Sequence, residues 1–249
     1  MSQISAVPWD LLAILLVLGV AVPWRGAVRV RALLARGELR STERIAIYAS
    51  TIAFQWALSG LTAWRCVARG WYLDSLGVGI PNPRPAIGIG LAFALLLGLV
   101  QLVAFRQLGQ IPPERRGRLG AIAAKLMPRN FTETIPFLAL VCTVSLCEEF
   151  LYRGFVFSLV QRVFGGSVVA AVVGSSVIFG IGHYYQGRRG VVNTSFLGAL
   201  FAGLRVWTGS LLPAALAHFA VDLVAGLGGS HWAASQDESL EHRKTPDNS

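Results

Sequence analysis

The chain has 249 residues, of which 54% are hydrophobic and only 14% charged, with a formal net charge of +9. An ordinary soluble domain carries about 25% charged residues, so this composition, with a mean hydropathy of +0.57, excludes a soluble globular enzyme and points to an integral membrane protein. A span needs roughly 20 mainly apolar residues, which leaves room for about seven or eight helices and short loops, and none for a separate soluble catalytic domain.

Apolar runs predict spans near Pro8 to Trp24, Ile45 to Trp64, Ala86 to Phe105, Ile135 to Val160, Ser167 to His183, Val191 to Val206 and Leu211 to Leu227. The expected fold is an all-α, polytopic transmembrane helix bundle. The first run differs from a secretory signal: Met1 to Pro8 has no basic side chain, the arginines follow the run, and no small-x-small cleavage site stands behind it. It reads as a retained first span. The segment Pro81-Asn82-Pro83-Arg84-Pro85 reads as a rigid connection outside any helix interior, because proline lacks the amide donor and restricts its predecessor. The fourth run is broken by Glu148, Glu149, Arg153 and Gly154. It is either one tilted helix or two segments meeting at the carboxylates, and that choice separates seven spans from eight. Residues 1–229 are read as one transmembrane domain whose motif-bearing part is 136–227, and the polar end, 230–249, as a disordered tail.

The basic excess is distributed by loop. Six arginines lie between Arg25 and Arg44 and six basic residues between Arg106 and Arg129, against three between Arg65 and Arg84. By the positive-inside rule the rich loops face the cytoplasm and the amino terminus lies outside. Arg188 and Arg189 fit the same parity if the fourth run crosses once. The charge therefore reports topology and contact with anionic headgroups of the lipid bilayer, and no nucleic-acid partner is expected. Cys66, Cys142 and Cys147 form no C-x-x-C and provide neither a disulfide framework nor a thiolate zinc site. Cys147 beside Glu148 reads as a packed helix thiol rather than a nucleophile.

Ionisable groups inside a bilayer are costly and mark a functional site by default. Here they are Glu148, Glu149, Arg153, His183, His218 and Asp222. Glu149 and Arg153 are four residues apart, share a helix face and can pair. That leaves Glu148, about 100° further round the helix, to point elsewhere, either as a carboxylate buried for packing or as a general base. His183 closes Phe179-Gly180-Ile181-Gly182-His183, whose glycines permit close helix packing. Asp222 lies one turn beyond His218 on the same face, where it either fixes the His218 tautomer or forms a second polar arm.

Two chemistries fit this set. In one, Glu148, His183 and His218 hold a zinc ion with water in its open position. In the other no cofactor is needed: Glu148 with His183 activates water, and His218 with a protonated or water-bridged Asp222 stabilises the oxyanion. No H-E-x-x-H occurs, so a soluble-type zincin is not indicated.

At these residues the chain resembles the CAAX prenyl protease and bacteriocin-processing (CPBP, or Abi) family of intramembrane endopeptidases. Three family motifs occur in order: E-E-x-x-x-R as Glu148 to Arg153, F-x-x-x-H as Phe179 to His183, and H-x-x-x-N/D as His218 to Asp222. The resemblance covers roughly Pro136 to Leu227; the first half matches only in being transmembrane. It implies a bundle of membrane helices with a polar intramembrane cavity open towards the cytoplasm. It also implies that Glu148 is the catalytic base, that His183 positions the water, that His218 with Asp222 binds the oxyanion, and that Glu149 and Arg153 support the site. Asp222 stands where the eukaryotic CAAX-processing branch has asparagine. The metal dependence of such enzymes stays open between zinc and none.

The expected activity is that of a membrane endopeptidase hydrolysing a membrane-associated peptide or protein. Small size, short loops and Arg- and Ala-rich usage suggest a bacterial plasma membrane. The sequence sets no oligomeric state. A transporter would place similar groups at mid-membrane but with repeated halves, which are not evident. A non-catalytic binding or immunity protein would use the same cavity without needing a base.

Overall fold

The computed structural model describes residues 8–112 and 117–227. The polar end read as a tail, 230–249, lies outside the described residues. Every regular element among them is helical. The helices are α1 (Trp9–Ala35), α2 (Ser41–Ala68), α3 (Pro83–Gly109), α4 (Gly117–Leu126), α5 (Phe131–Val163), α6 (Val168–Gly182), α7 (Arg188–Thr208) and α8 (Leu212–Leu227). Five of them, α1, α2, α3, α5 and α7, are long and apolar enough to cross a membrane, and α6 and α8 are shorter apolar helices. The chain is an integral membrane protein. Large exposed side chains such as Leu95, Val169 and Phe196 face outward along these helices, as expected where the solvent is lipid.

Each predicted run lies on one helix, but several boundaries move. Helix α1 continues past Trp24 to Ala35 and carries Arg25, Arg29 and Arg31 in its last turns. Long arginine stems let a helix project charge beyond the apolar zone without ending. Helix α3 starts at Pro83, so part of the proline segment is helical after all. Proline is tolerated in a first turn, where its missing N–H has no intrahelical partner anyway. A short helix that the charge count hid, α4, buries Ile122 and Ala123. Lys125 ties it to the end of α1 by donating to the carbonyls of Arg36 and Gly37.

The fourth run is one continuous helix. Asn130 caps α5 by accepting from the Glu133 amide at 3.0 Å, and the helix runs unbroken to Val163. The polar residues do not split it but coincide with a π-helical turn, Glu149–Val156. Such a turn widens the helix locally and frees backbone groups, and π-turns are frequent at functional sites. Of the five long helices α5 is the most enclosed, with 39% of its apolar window buried against 11% for α3.

Two ion pairs fix α2 against its neighbours. At its start Arg44 donates to Glu133 of α5 at 2.9 Å, both side chains being buried. At its end Arg65 donates to Asp10 of α1 at 2.7 Å, and Arg69 reaches the same carboxylate at 3.1 Å. Helices α6 and α7 approach closely because small residues face each other. A methyl added at Gly180 would stand 2.0 Å from Ser195 Oγ and 2.7 Å from the Val191 carbonyl.

The second of those neighbours is backbone and cannot rotate away. Gly180→Ala is therefore expected to cost about 1–3 kcal/mol through overpacking, read as a lowered Tm of the detergent-solubilised protein. Gly60→Ala on α2, where nothing lies within 4 Å, is the matched control and should leave Tm unchanged or raise it.

Candidate active site

The centre of the bundle is organised around one guanidinium. Arg153 and Glu149, one turn apart on α5, pair at 3.0 Å with both side chains 0% exposed. An isolated charge in such a place would be prohibitive, and pairing makes it tolerable. Carboxylate and aromatic faces share the cation, for Arg153 Cζ lies 3.9 Å from the ring centre of Phe179 on α6 and 5.2 Å from that of Phe201 on α7. Gly198 leaves the room, since a methyl there would come within 3.1 Å of Arg153 Nη2 and 3.2 Å of the Phe179 ring.

Glu149 has a second partner. His218 on α8 places Nδ1 2.8 Å from the same Oε1, and its ring stacks on Phe201 at 5.3 Å between centroids. Its Nε2 faces Asp222 Oδ2 at 3.5 Å. The expected His218–Asp222 contact is present, but the shorter one runs to Glu149, across 69 residues of chain. A neutral imidazole donates from one nitrogen only. If Nδ1–H serves Glu149, the Nε2 to Asp222 contact needs a further proton, shared between ring and carboxyl.

Glu148 points away from this knot, as its angular offset predicts. Its Oε1 accepts from Gln55 Nε2 of α2 at 2.9 Å. Its Oε2 is buried with no hydrogen-bond partner among the described residues. His183, at the end of α6, has Nδ1 2.9 Å from the Phe179 carbonyl oxygen. A carbonyl only accepts, so Nδ1 carries the hydrogen, and in the neutral ring Nε2 is the acceptor. Phe179 thus serves twice, its carbonyl orienting His183 and its ring bearing Arg153. The His183 ring also lies beside Tyr185, 5.7 Å between centroids.

The side chains divide by accessibility. Glu149 and Arg153 are fully buried and His218 nearly so at 5%, whereas the Asp222 side chain is 35% exposed and Glu148 and His183 are half-buried. A buried layer orients, and the layer above it can meet water and substrate. Among the described residues no three His, Cys, Asp or Glu side chains are grouped to hold a metal ion. The expected zinc set Glu148, His183 and His218 does not form such a group. Cys147, 1% exposed, packs in the core.

Sequence reading missed three contributors. Gln55 is a single amide in an apolar span, a signal that was available. Phe201 carries none, being one aromatic among many. Arg205 on α7 is buried and donates to the Arg153 carbonyl in the π-turn, to Ser158 Oγ at 2.9 Å and to the Ser75 carbonyl at 3.1 Å. It thereby satisfies a backbone oxygen of the widened turn and ties the turn to the loop after α2.

Breaking the buried pair should be worse than removing it. Arg153→Met, which leaves the buried Glu149 with His218 as its one remaining partner among the described residues, is expected to destabilise the protein by about 3–5 kcal/mol. The double variant Glu149→Gln with Arg153→Met should recover part of that loss. A double-mutant cycle on the thermal unfolding of the purified protein measures the coupling.

Residues 130–224 match the family model Type II CAAX prenyl endopeptidase Rce1-like. That interval reaches from the α5 cap into α8 and contains all three motifs. No curated protein and no solved structure matches the chain. With the motifs converging on one buried ion pair and the family match enclosing them, residues 130–224 are similar to the Rce1-like type II CAAX prenyl endopeptidases.

Proposed function

We propose that this protein hydrolyses peptide bonds of membrane-associated peptides or proteins with water activated by Glu148. The observation that carries the reading is the state of that carboxylate. One oxygen is held by Gln55, and the other is buried without a partner in a residue that is only half enclosed. A buried polar atom is normally paired, so an orphaned carboxylate oxygen in a half-enclosed residue suits a water molecule.

The steps follow from the donors and acceptors. Glu148 Oε2 takes one proton of the water while His183 Nε2 accepts the other hydrogen and aims the oxygen lone pair. The oxygen bonds to the scissile carbonyl carbon, and the carbonyl oxygen becomes an oxyanion. The proton held between His218 Nε2 and Asp222 is donated towards that oxyanion in a hydrogen bond. On collapse the carbon–nitrogen bond breaks, and Glu148 returns its proton to the leaving amine. Glu149 and Arg153 touch no reacting atom; they fix the His218 ring.

The amino terminus is proposed to lie outside a bacterial plasma membrane, with Arg25, Arg29, Arg31, Arg36 and Arg40 at the cytoplasmic face. The continuity of α5 supports a single crossing of the fourth run, which keeps Arg188 and Arg189 on the same side.

The test is cleavage of a membrane-anchored fluorogenic peptide pool, with and without a prenyl group, by the detergent-purified protein. Glu148→Gln, nearly isosteric but not a base, should lower kcat by about 10²–10⁴-fold with Tm unchanged. Full cleavage by that variant would overturn the assignment of Glu148 as the base. Asp222→Asn keeps a neutral donor at the oxyanion and should retain activity within about tenfold, whereas Asp222→Ala should lose about 10²-fold.

A further inference from the structure

Gln55 belongs to α2, far outside the residues 130–224 that match the family, yet it makes the hydrogen bond to Glu148. At 1.5 Å per residue, it lies about 16 Å along α2 from Arg44 and about 15 Å from Arg65, roughly midway between the two ion-paired ends. A carboxamide at that depth is costly unless paired. Helix adhesion does not need it, because the α2–α5 contact is already bridged by Trp56 Nε1 donating to Thr143 Oγ1 at 3.2 Å and by Arg44 with Glu133.

What Gln55 does that those contacts do not is distinguish the two oxygens of Glu148. Its N–H occupies Oε1 and leaves Oε2 as the open acceptor. We infer that Gln55 is a positioning residue of this active site, supplied by the amino-terminal half of the chain, which holds the Glu148 carboxylate by Oε1 so that proton uptake and return both occur at Oε2. The inference rests on the reading of Glu148 as the base. In chemical terms the amide prevents carboxylate rotation. The water proton is bound on the oxygen that faces the scissile bond, and the same oxygen delivers it to the amine.

The experiment uses the full chain and the same peptide pool, with kcat, KM and Tm measured for Gln55→Met, Gln55→His, Trp56→Phe and Glu148→Gln. Gln55→Met keeps length and apolarity but has no donor. It should lower kcat about 10–100-fold, the range for losing a hydrogen bond to a charged group, with KM within about twofold and Tm close to wild type. Gln55→His, whose Nε2 can reach the same place, should recover at least about tenfold where the loss is that large. Trp56→Phe breaks the neighbouring α2–α5 bond and should leave kcat unchanged.

If Gln55→Met keeps its kcat while Glu148→Gln is inactive, the inference fails and the base assignment survives. If Glu148→Gln cleaves like wild type, both fall together. If Trp56→Phe loses as much kcat as Gln55→Met, or Gln55→Met lowers Tm as Arg153→Met does, Gln55 is helix glue and the positioning role is overturned.

Discussion

A fully buried arginine in a membrane protein constrains everything around it. Arg153 must meet a carboxylate, and Glu149 one turn earlier supplies it. The pair must then be sealed from lipid, and the faces of Phe179 and Phe201 do this from two further helices. Because Glu149 also receives His218, the charge pair recruits α8, so that α5, α6, α7 and α8 meet at one point. The bundle core is thus centred on an ion pair that aromatic side chains enclose. Interiors of membrane bundles lack a hydrophobic drive between helices, and close packing and polar contacts take its place.

Around the same knot the polar side chains divide by exposure. Glu149 and Arg153 have no exposed surface and His218 very little, whereas Glu148, His183 and Asp222 sit one step outward and partly open. Each of these three is oriented by a member of the inner layer or by a neighbouring helix: His183 by the Phe179 carbonyl, Asp222 through His218, Glu148 by Gln55. Adjacent residues 148 and 149 reach the two layers through the ordinary helical offset of about 100°, and from Glu149 onward α5 carries the π-turn. Its loosened backbone is made good by Arg205, so the distortion is held by a specific contact rather than tolerated as slack.

Much of this was legible in the sequence, for reasons that differ by residue. Apolar runs of membrane length located the helices because span length is set by the bilayer. The i, i+4 spacings of Glu149 with Arg153 and of His218 with Asp222 gave both contacts, since helical geometry alone determines them. Contacts between remote segments were not available from spacing. That His218 bonds Glu149 more closely than Asp222 depends on how α8 packs against α5. Phe201 and Arg205 matter through position, not type. Helix ends were misplaced where arginine stems and first-turn prolines let helices run on past the apolar stretch, as at Ala35 and Pro83. Helix α4 was hidden because its charges were counted as loop.

Helix α2 is pinned by Arg44 to α5 and by Arg65 to α1, 21 residues apart in sequence, and at helical rise that separation is about 31 Å, close to the roughly 30 Å hydrocarbon thickness of a bilayer. A helix held at both ends cannot absorb hydrophobic mismatch by tilting independently. In a thinner or thicker membrane α2 must move together with α1 and α5, or the lipids must deform around all three. Hydrophobic mismatch is thus met by three helices together, and the depth of Gln55, midway between the clamps, is set relative to α1 and α5.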